Sequence, residues 1–160
     1  MELTDVAKQI NESSKDSKIY IGCDSEVVKR GKAKVKKVRY TTVIVIHLEG
    51  SRGGRVFGIF EQDIIGKGEQ YKREPKYRLM NEVYKVSDLY LDLAPLVDRD
   101  IEVHLDLNPD EQHLSNKVAN QAVGYVKGVC GVDAKLKPDA WAASACADRW
   151  HSLEYKQGWN

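Results

Sequence analysis

The spacing of apolar residues changes period along the chain, and each change marks an element. Lys18-Ile-Tyr-Ile-Gly-Cys-Asp24 is a short strand-like run. Val38 to Leu48 is a longer one, dense in the β-branched and aromatic side chains that suit a pleated surface. Glu49-Gly-Ser-Arg-Gly-Gly54 supplies turn residues, and Arg55 to Glu61 reads as a third strand. Three consecutive strands with tight connections predict an antiparallel meander. From about Glu74 to Leu96 the period lengthens, and Leu79, Val83, Val86, Leu89, Tyr90 and Leu93 form a helical stripe. Pro75 sits where a helix start tolerates it, and Pro95 lies near the end.

Strict alternation returns at Ile101-Glu-Val-His-Leu-Asp-Leu107, a fourth strand closed by Asn108-Pro109. Ser115 is positioned to cap a helix running through Val118, Ala122, Val123 and Val126, with Gly128 and Gly131 near its end. A brief strand at Ala134–Lys137 and an alanine-rich helix from about Pro138 to Trp150 complete the pattern. The predicted order is βββαβαβα: a mixed five-stranded sheet flanked by helices, its later strands joined by right-handed crossovers.

At 160 residues, 42% hydrophobic and 31% charged, the chain suits one α/β domain over residues 1–160 with its core between about 18 and 150. It contains no apolar run long enough to span a bilayer and no secretory leader pattern, so a cytoplasmic protein without a membrane partner is expected. Cys23, Cys130 and Cys146 are odd in number and widely spaced, which suggests buried thiols rather than a disulfide framework or zinc site. The formal charge of +1 hides an uneven distribution. Lys29, Arg30, Lys32, Lys34, Lys36, Lys37 and Arg39 fill seven of eleven consecutive positions. Such density attracts polyanions, and it equally describes an exposed hairpin kept from aggregating by its lysines.

Three acids stand where packing alone would not put them. Asp24 follows the apolar run Ile19 to Cys23, a place that turn formers also occupy. Glu82 falls in the series Leu79, Glu82, Val86, Leu89, Leu93 and so lies on an apolar helix face. A carboxylate there must reach the stripe's edge, pair with a base such as Arg78, or hold a cation. Asp106 shares the Glu102, His104 and Asn108 face of the fourth strand, near the end where open α/β sheets place ligand sites. Converging carboxylates without a His or Cys cluster select Mg²⁺ or Mn²⁺, and a pair of such ions promotes in-line phosphodiester hydrolysis.

Ile-Tyr-Ile-Gly-Cys-Asp24-Ser resembles the first-strand motif of ribonuclease H-like enzymes, Arg78-Leu-Met-Asn-Glu82 the segment carrying their helix glutamate, and Val103-His-Leu-Asp106 their fourth-strand aspartate. The predicted order of elements is also that of the ribonuclease H-like fold. Gly124-Tyr-Val-Lys-Gly128 and Lys137 to Asp148 are most similar to the small YkuK-type family of predicted nucleases. The resemblance implies a fourth acid from the last helix. Asp139 is the favoured candidate, although a first-turn role also explains it, and Asp148 is the alternative.

The function so implied is a metal-dependent nuclease cutting phosphodiesters, first of all RNA in RNA/DNA hybrids, with structured or single-stranded nucleic acid as other substrates. The basic hairpin would grip phosphates, and Ser25 and Asn108 would line the site. A non-catalytic nucleic-acid-binding module on the same fold and a protein-interaction or regulatory domain are the competing expectations.

Overall fold

The computed structural model describes residues 2–30, 36–48, 53–65, 76–108 and 115–142. It opens with a helix that the strand-seeking pattern missed, α1 (Leu3–Glu12), whose Val6, Ala7 and Ile10 are buried. A capping box holds its start: the Glu2 side chain and the Asp5 side chain each accept from the other's backbone N–H.

Three long strands follow: β1 (Lys18–Arg30), β2 (Lys36–His47) and β3 (Gly54–Ile65). They form the expected antiparallel meander, with Ile21 opposite Ile44 and Val43 opposite Gly58. β1 continues well past Asp24, with an irregularity between Val27 and Lys29. The chain then enters α2 (Lys76–Leu93), a short 3₁₀ turn at Ala94–Leu96, β4 (Ile101–Leu105) and α3 (Ser115–Cys130). Gly131, at φ 73°, takes the left-handed conformation after α3, and its N–H donates to Lys127 O at 3.0 Å.

The sheet order is β3-β2-β1-β4, with β4 parallel to β1. The expected fifth strand is reduced to a single bridge between His104 and Lys135, so the sheet has four strands among the described residues. Residues 134–137 nevertheless follow β4 closely, since Lys135 N–H donates to Val103 O and Lys137 N–H to Leu107 O. The predicted last helix lies largely outside the described residues, and within its described start Lys137 to Asp139 form a turn.

One sheet face carries most of the core. Ile19, Ile21, Cys23, Ile44, Ile46, Val103 and Leu105 meet Val6 and Ile10 of α1, Val83, Val86 and Leu93 of α2, and Val118, Ala122 and Val126 of α3. The alternate residues Tyr20, Val43 and Val45 point to the other face and gather Ala142. Burying apolar area at about 25 cal/mol per Å² drives both layers. Cys23 is buried as expected, whereas Cys130 is half-buried. No helix among the described residues is long and apolar enough to cross a membrane.

Candidate carboxylate site

The parallel register pairs Ile19 with Ile101 and Cys23 with Leu105. Carried one residue further, it sets Asp24 level with Asp106 on the same side of the sheet. β4 ends there. Leu107 N–H donates to Leu105 O at 2.8 Å, a three-residue turn with Asp106 at its apex. Asp24, by contrast, is not at a strand end but in mid-β1, paired with Thr41 on one flank. Its other flank opens where β4 stops, which is how an aspartate inside a strand faces a cleft.

Glu82 comes from α2 on the helical side and is 4% exposed. Its Oε1 accepts from the hydroxyl of Ser25, the residue next to Asp24. Arg78, one helical turn before Glu82, donates through Nη1 to Ser25 O at 3.0 Å and Ser25 Oγ at 2.8 Å, and that nitrogen stands 3.9 Å from Glu82 Oε1. Asp24 Oδ1 accepts from Ser25 N–H at 2.9 Å. Ser25 is therefore a hinge of hydrogen bonds between two acids, and its buried hydroxyl is committed to Glu82 and Arg78 rather than offered to a substrate.

Electrostatics ties the three carboxylates together. Burial pushes the Glu82 pKa well above the usual carboxylate range, and Asp24 and Asp106 push it further against the pull of Ser25 and Arg78. Asp24 is raised in the same direction, first by burial and then by Asp106. Oδ1 of Asp106 is buried, and Lys137 Nζ stands 2.8 Å from it as a counter-ion without well-aligned hydrogen-bond geometry. That carboxylate in turn holds the Lys137 ammonium above its ordinary pKa, so Lys137 is charged.

The other expected residues divide. Asp139 is exposed on the turn after the cis Lys137–Pro138 bond, its N–H donating to Leu136 O. The side chain that this segment sends to Asp106 is the basic Lys137, two residues earlier. Asp148 lies outside the described residues, as do Lys32 and Lys34. Asn108 is half-buried just beyond Asp106. Lys29, Arg30 and Lys36 belong to the paired ends of β1 and β2, and Lys37 is exposed. Arg39 pairs with Glu26 and lies over the Phe60 ring, 5.3 Å from its centroid, so part of its charge is neutralised within the sheet.

His104 is buried on the second face. Its Nε2 is 2.9 Å from Glu102 Oε1, and its Nδ1 accepts from the N–H groups of Trp141 and Ala142 at 3.1 and 3.2 Å. It anchors residues 141 and 142 and belongs to a ring cluster with Tyr20 and Trp141. This is a packing role, as the alternation of β4 allowed.

Sequence reasoning named Lys137 as the end of a predicted strand and the start of the segment carrying the family resemblance, but not as a partner of the acids. A signal for that role was the alternation of Lys135 and Lys137 in a short run placed after a strand whose end bears an acid.

An antiparallel meander with a parallel fourth strand, helices on one face, and two acids level where that strand ends with a third on the helical side defines an α/β protein with a candidate carboxylate site near its sheet edge. A family model described as ribonuclease H-like matches residues 2–152, and the chain belongs to that nuclease-type family. No curated protein and no solved structure gives a match.

Proposed function

We infer that the protein is a divalent-metal-dependent nuclease whose metal site is built from Asp24, Glu82 and Asp106. The observation that carries this reading is the burial of the Glu82 carboxylate close to two further acids. A carboxylate 4% exposed and repelled by two further acids stores unfavourable energy that a cation would relieve. The donor set suits Mg²⁺ or Mn²⁺, since all three are hard oxygen ligands and Asp106 Oδ1 is buried without a well-aligned hydrogen bond. Among the described residues no three His, Cys, Asp or Glu side chains stand within common reach of one ion, with Glu82 turned to Ser25 and Asp106 to Lys137.

Bound there, such ions would supply a water nucleophile near neutral pH and charge stabilisation for the attacking and leaving oxygens. The chain's own residues do the positioning. Ser25 holds the Glu82 carboxylate on the helical side, from which it would have to turn to reach an ion, Arg78 braces that serine, and the β1–β4 register keeps Asp24 and Asp106 level. Asp139 and Asp148 are the candidates for a further acid. The basic run Lys29 to Arg39 would draw the substrate in through its phosphates. RNA in an RNA/DNA hybrid is the substrate class proposed first.

The test is cleavage of labelled RNA/DNA hybrid, single-stranded and branched DNA with Mg²⁺, Mn²⁺ or EDTA, comparing the parent with Asp24→Asn and Asp106→Asn. Metal-dependent cutting abolished by both substitutions supports the site. Equal activity in all three proteins refutes it, and salt-sensitive binding without cutting of any substrate identifies a non-catalytic module instead.

A further inference from the structure

Lys137 stands among acids for which the sequence offered no basic partner other than Arg78. Its backbone is fixed: Lys137 N–H donates to Leu107 O at 3.1 Å, and Lys135 is laced to Val103 and Leu105 at 2.8 and 2.9 Å. Residue 137 therefore arrives beside Asp106 because residues 135–137 run along the edge of β4. From there Nζ reaches within 2.8 Å of Asp106 Oδ1, and Asp24 and Glu82 act on the same ammonium. Arg78 is placed differently, since its Nη1 is held by Ser25 O and Oγ.

An ammonium on a four-carbon stem is a compact charge that can swing, unlike a clamped guanidinium. The Lys137 side chain is 47% exposed, so it can move into water without opening a cavity. We propose that Lys137 is a tethered cation that competes with the divalent ion for Asp106, holding that carboxylate when no ion is bound and releasing it when one binds. The inference rests on the reading of Asp24, Glu82 and Asp106 as a metal site.

The physical reason is that two cations cannot share one enclosed carboxylate oxygen without strong mutual repulsion, which at a few ångströms in a partly buried site far exceeds its value in water. Filling the site thus requires breaking an ion pair first. The lysine raises the ion concentration needed, and the displaced ammonium is left at the cleft, where a substrate phosphate would neutralise it.

Mn²⁺ binding by the full chain, read from the electron paramagnetic resonance signal of the free ion, tests this on the parent, Lys137→Met, Lys137→Gln, Lys137→Arg and Asp106→Asn. Lys137→Met and Lys137→Gln should bind about tenfold or more tightly than the parent. Lys137→Arg, which keeps the charge, should stay close to the parent, and Asp106→Asn should bind weakly. In EDTA, Lys137→Met should melt below the parent and recover when Mn²⁺ is added. Unchanged or weaker binding by the neutral variants, with binding lost in Asp106→Asn, overturns the competition and leaves the metal site standing. Tighter binding with Asp106→Asn unaffected places the ion elsewhere and overturns it too. Binding by none of the proteins overturns both the competition and the metal site, whereas binding by the neutral variants alone supports the competition in its strongest form.

Discussion

Replacing Glu82 with glutamine separates two accounts of a buried carboxylate. Glutamine keeps an acceptor oxygen for the Ser25 hydroxyl and nearly the same shape, and it removes the charge. If Glu82 were present to pair with Arg78, breaking that buried pair would cost about 3–5 kcal/mol. For a chain of this size that lowers Tm by about 6–20 °C. The geometry argues the reverse. Arg78 Nη1 is 3.9 Å from Glu82 and already donates to Ser25 O and Oγ, so the substitution strands no donor. Burial, Asp24 and Asp106 all oppose the Glu82 charge. Glu82→Gln should therefore leave stability in EDTA unchanged or raise it by up to about 2 kcal/mol near pH 8. The sign with pH follows. A carboxyl whose folded pKa is raised favours the folded state fully below its ordinary value of 4.5, and that contribution is lost as pH rises through the folded pKa. The parent should lose stability relative to Glu82→Gln as pH rises above 4.5, followed by circular dichroism melts in EDTA. Mg²⁺ at about ten times its Kd should then add about 1.4 kcal/mol to the parent and less to the variant. A fall in Tm of about 6 °C or more for Glu82→Gln in EDTA at pH 8 would refute the reasoning and make Glu82 a structural partner of Arg78.

Ser25→Ala removes the hydroxyl that donates to Glu82 and accepts from Arg78, and should cost about 1–3 kcal/mol in urea melts while lowering cleavage; an unchanged midpoint would show that the hydroxyl holds nothing. His104→Leu leaves the N–H groups of Trp141 and Ala142 without their acceptor, with an expected loss of about 2–4 kcal/mol and faster proteolysis after residue 138, and resistance equal to the parent's would count against the anchor. Joint replacement of Lys32, Lys34 and Lys37 by alanine should weaken nucleic-acid binding at every sequence and flatten the slope of log K against log salt by about 2–3, whereas an unaltered slope would remove the hairpin from the interface.

Much of the architecture was legible because the periods were clean. The meander, the long helix and the parallel fourth strand follow from alternation and from the 3.6-residue stripe, and the structure reproduces them with shifted ends. α1 was overlooked although Leu3, Val6, Ala7 and Ile10 carry helical spacing, a pattern too short to stand out beside the strands that follow it. The fifth strand dwindled to a bridge, since residues 134–137 hydrogen-bond along β4 without extending a ladder of their own. For the acids, the apolar stripe marked Glu82 as misplaced for packing, and parity put Asp106 opposite the core. Asp24 looked like a strand end because the apolar run stops there, yet the backbone pairing carries on to Arg30.

Side-chain periodicity is a local property, and it was enough to say which residues are strand, which are helix, and which polar groups interrupt an apolar face. Partnerships across the fold are of another kind. Asp24 is level with Asp106 only because β1 and β4 adopt the register that pairs Ile19 with Ile101, and the shared core beneath both strands holds that register. Ser25 meets Glu82, and Lys137 meets Asp106, through contacts between segments far apart in the chain. No period encodes such meetings, because they depend on how whole faces pack. The sequence by itself therefore determined the elements and the three suspect acids, and only the tertiary structure decided that a serine and an arginine hold one of them and a lysine holds another.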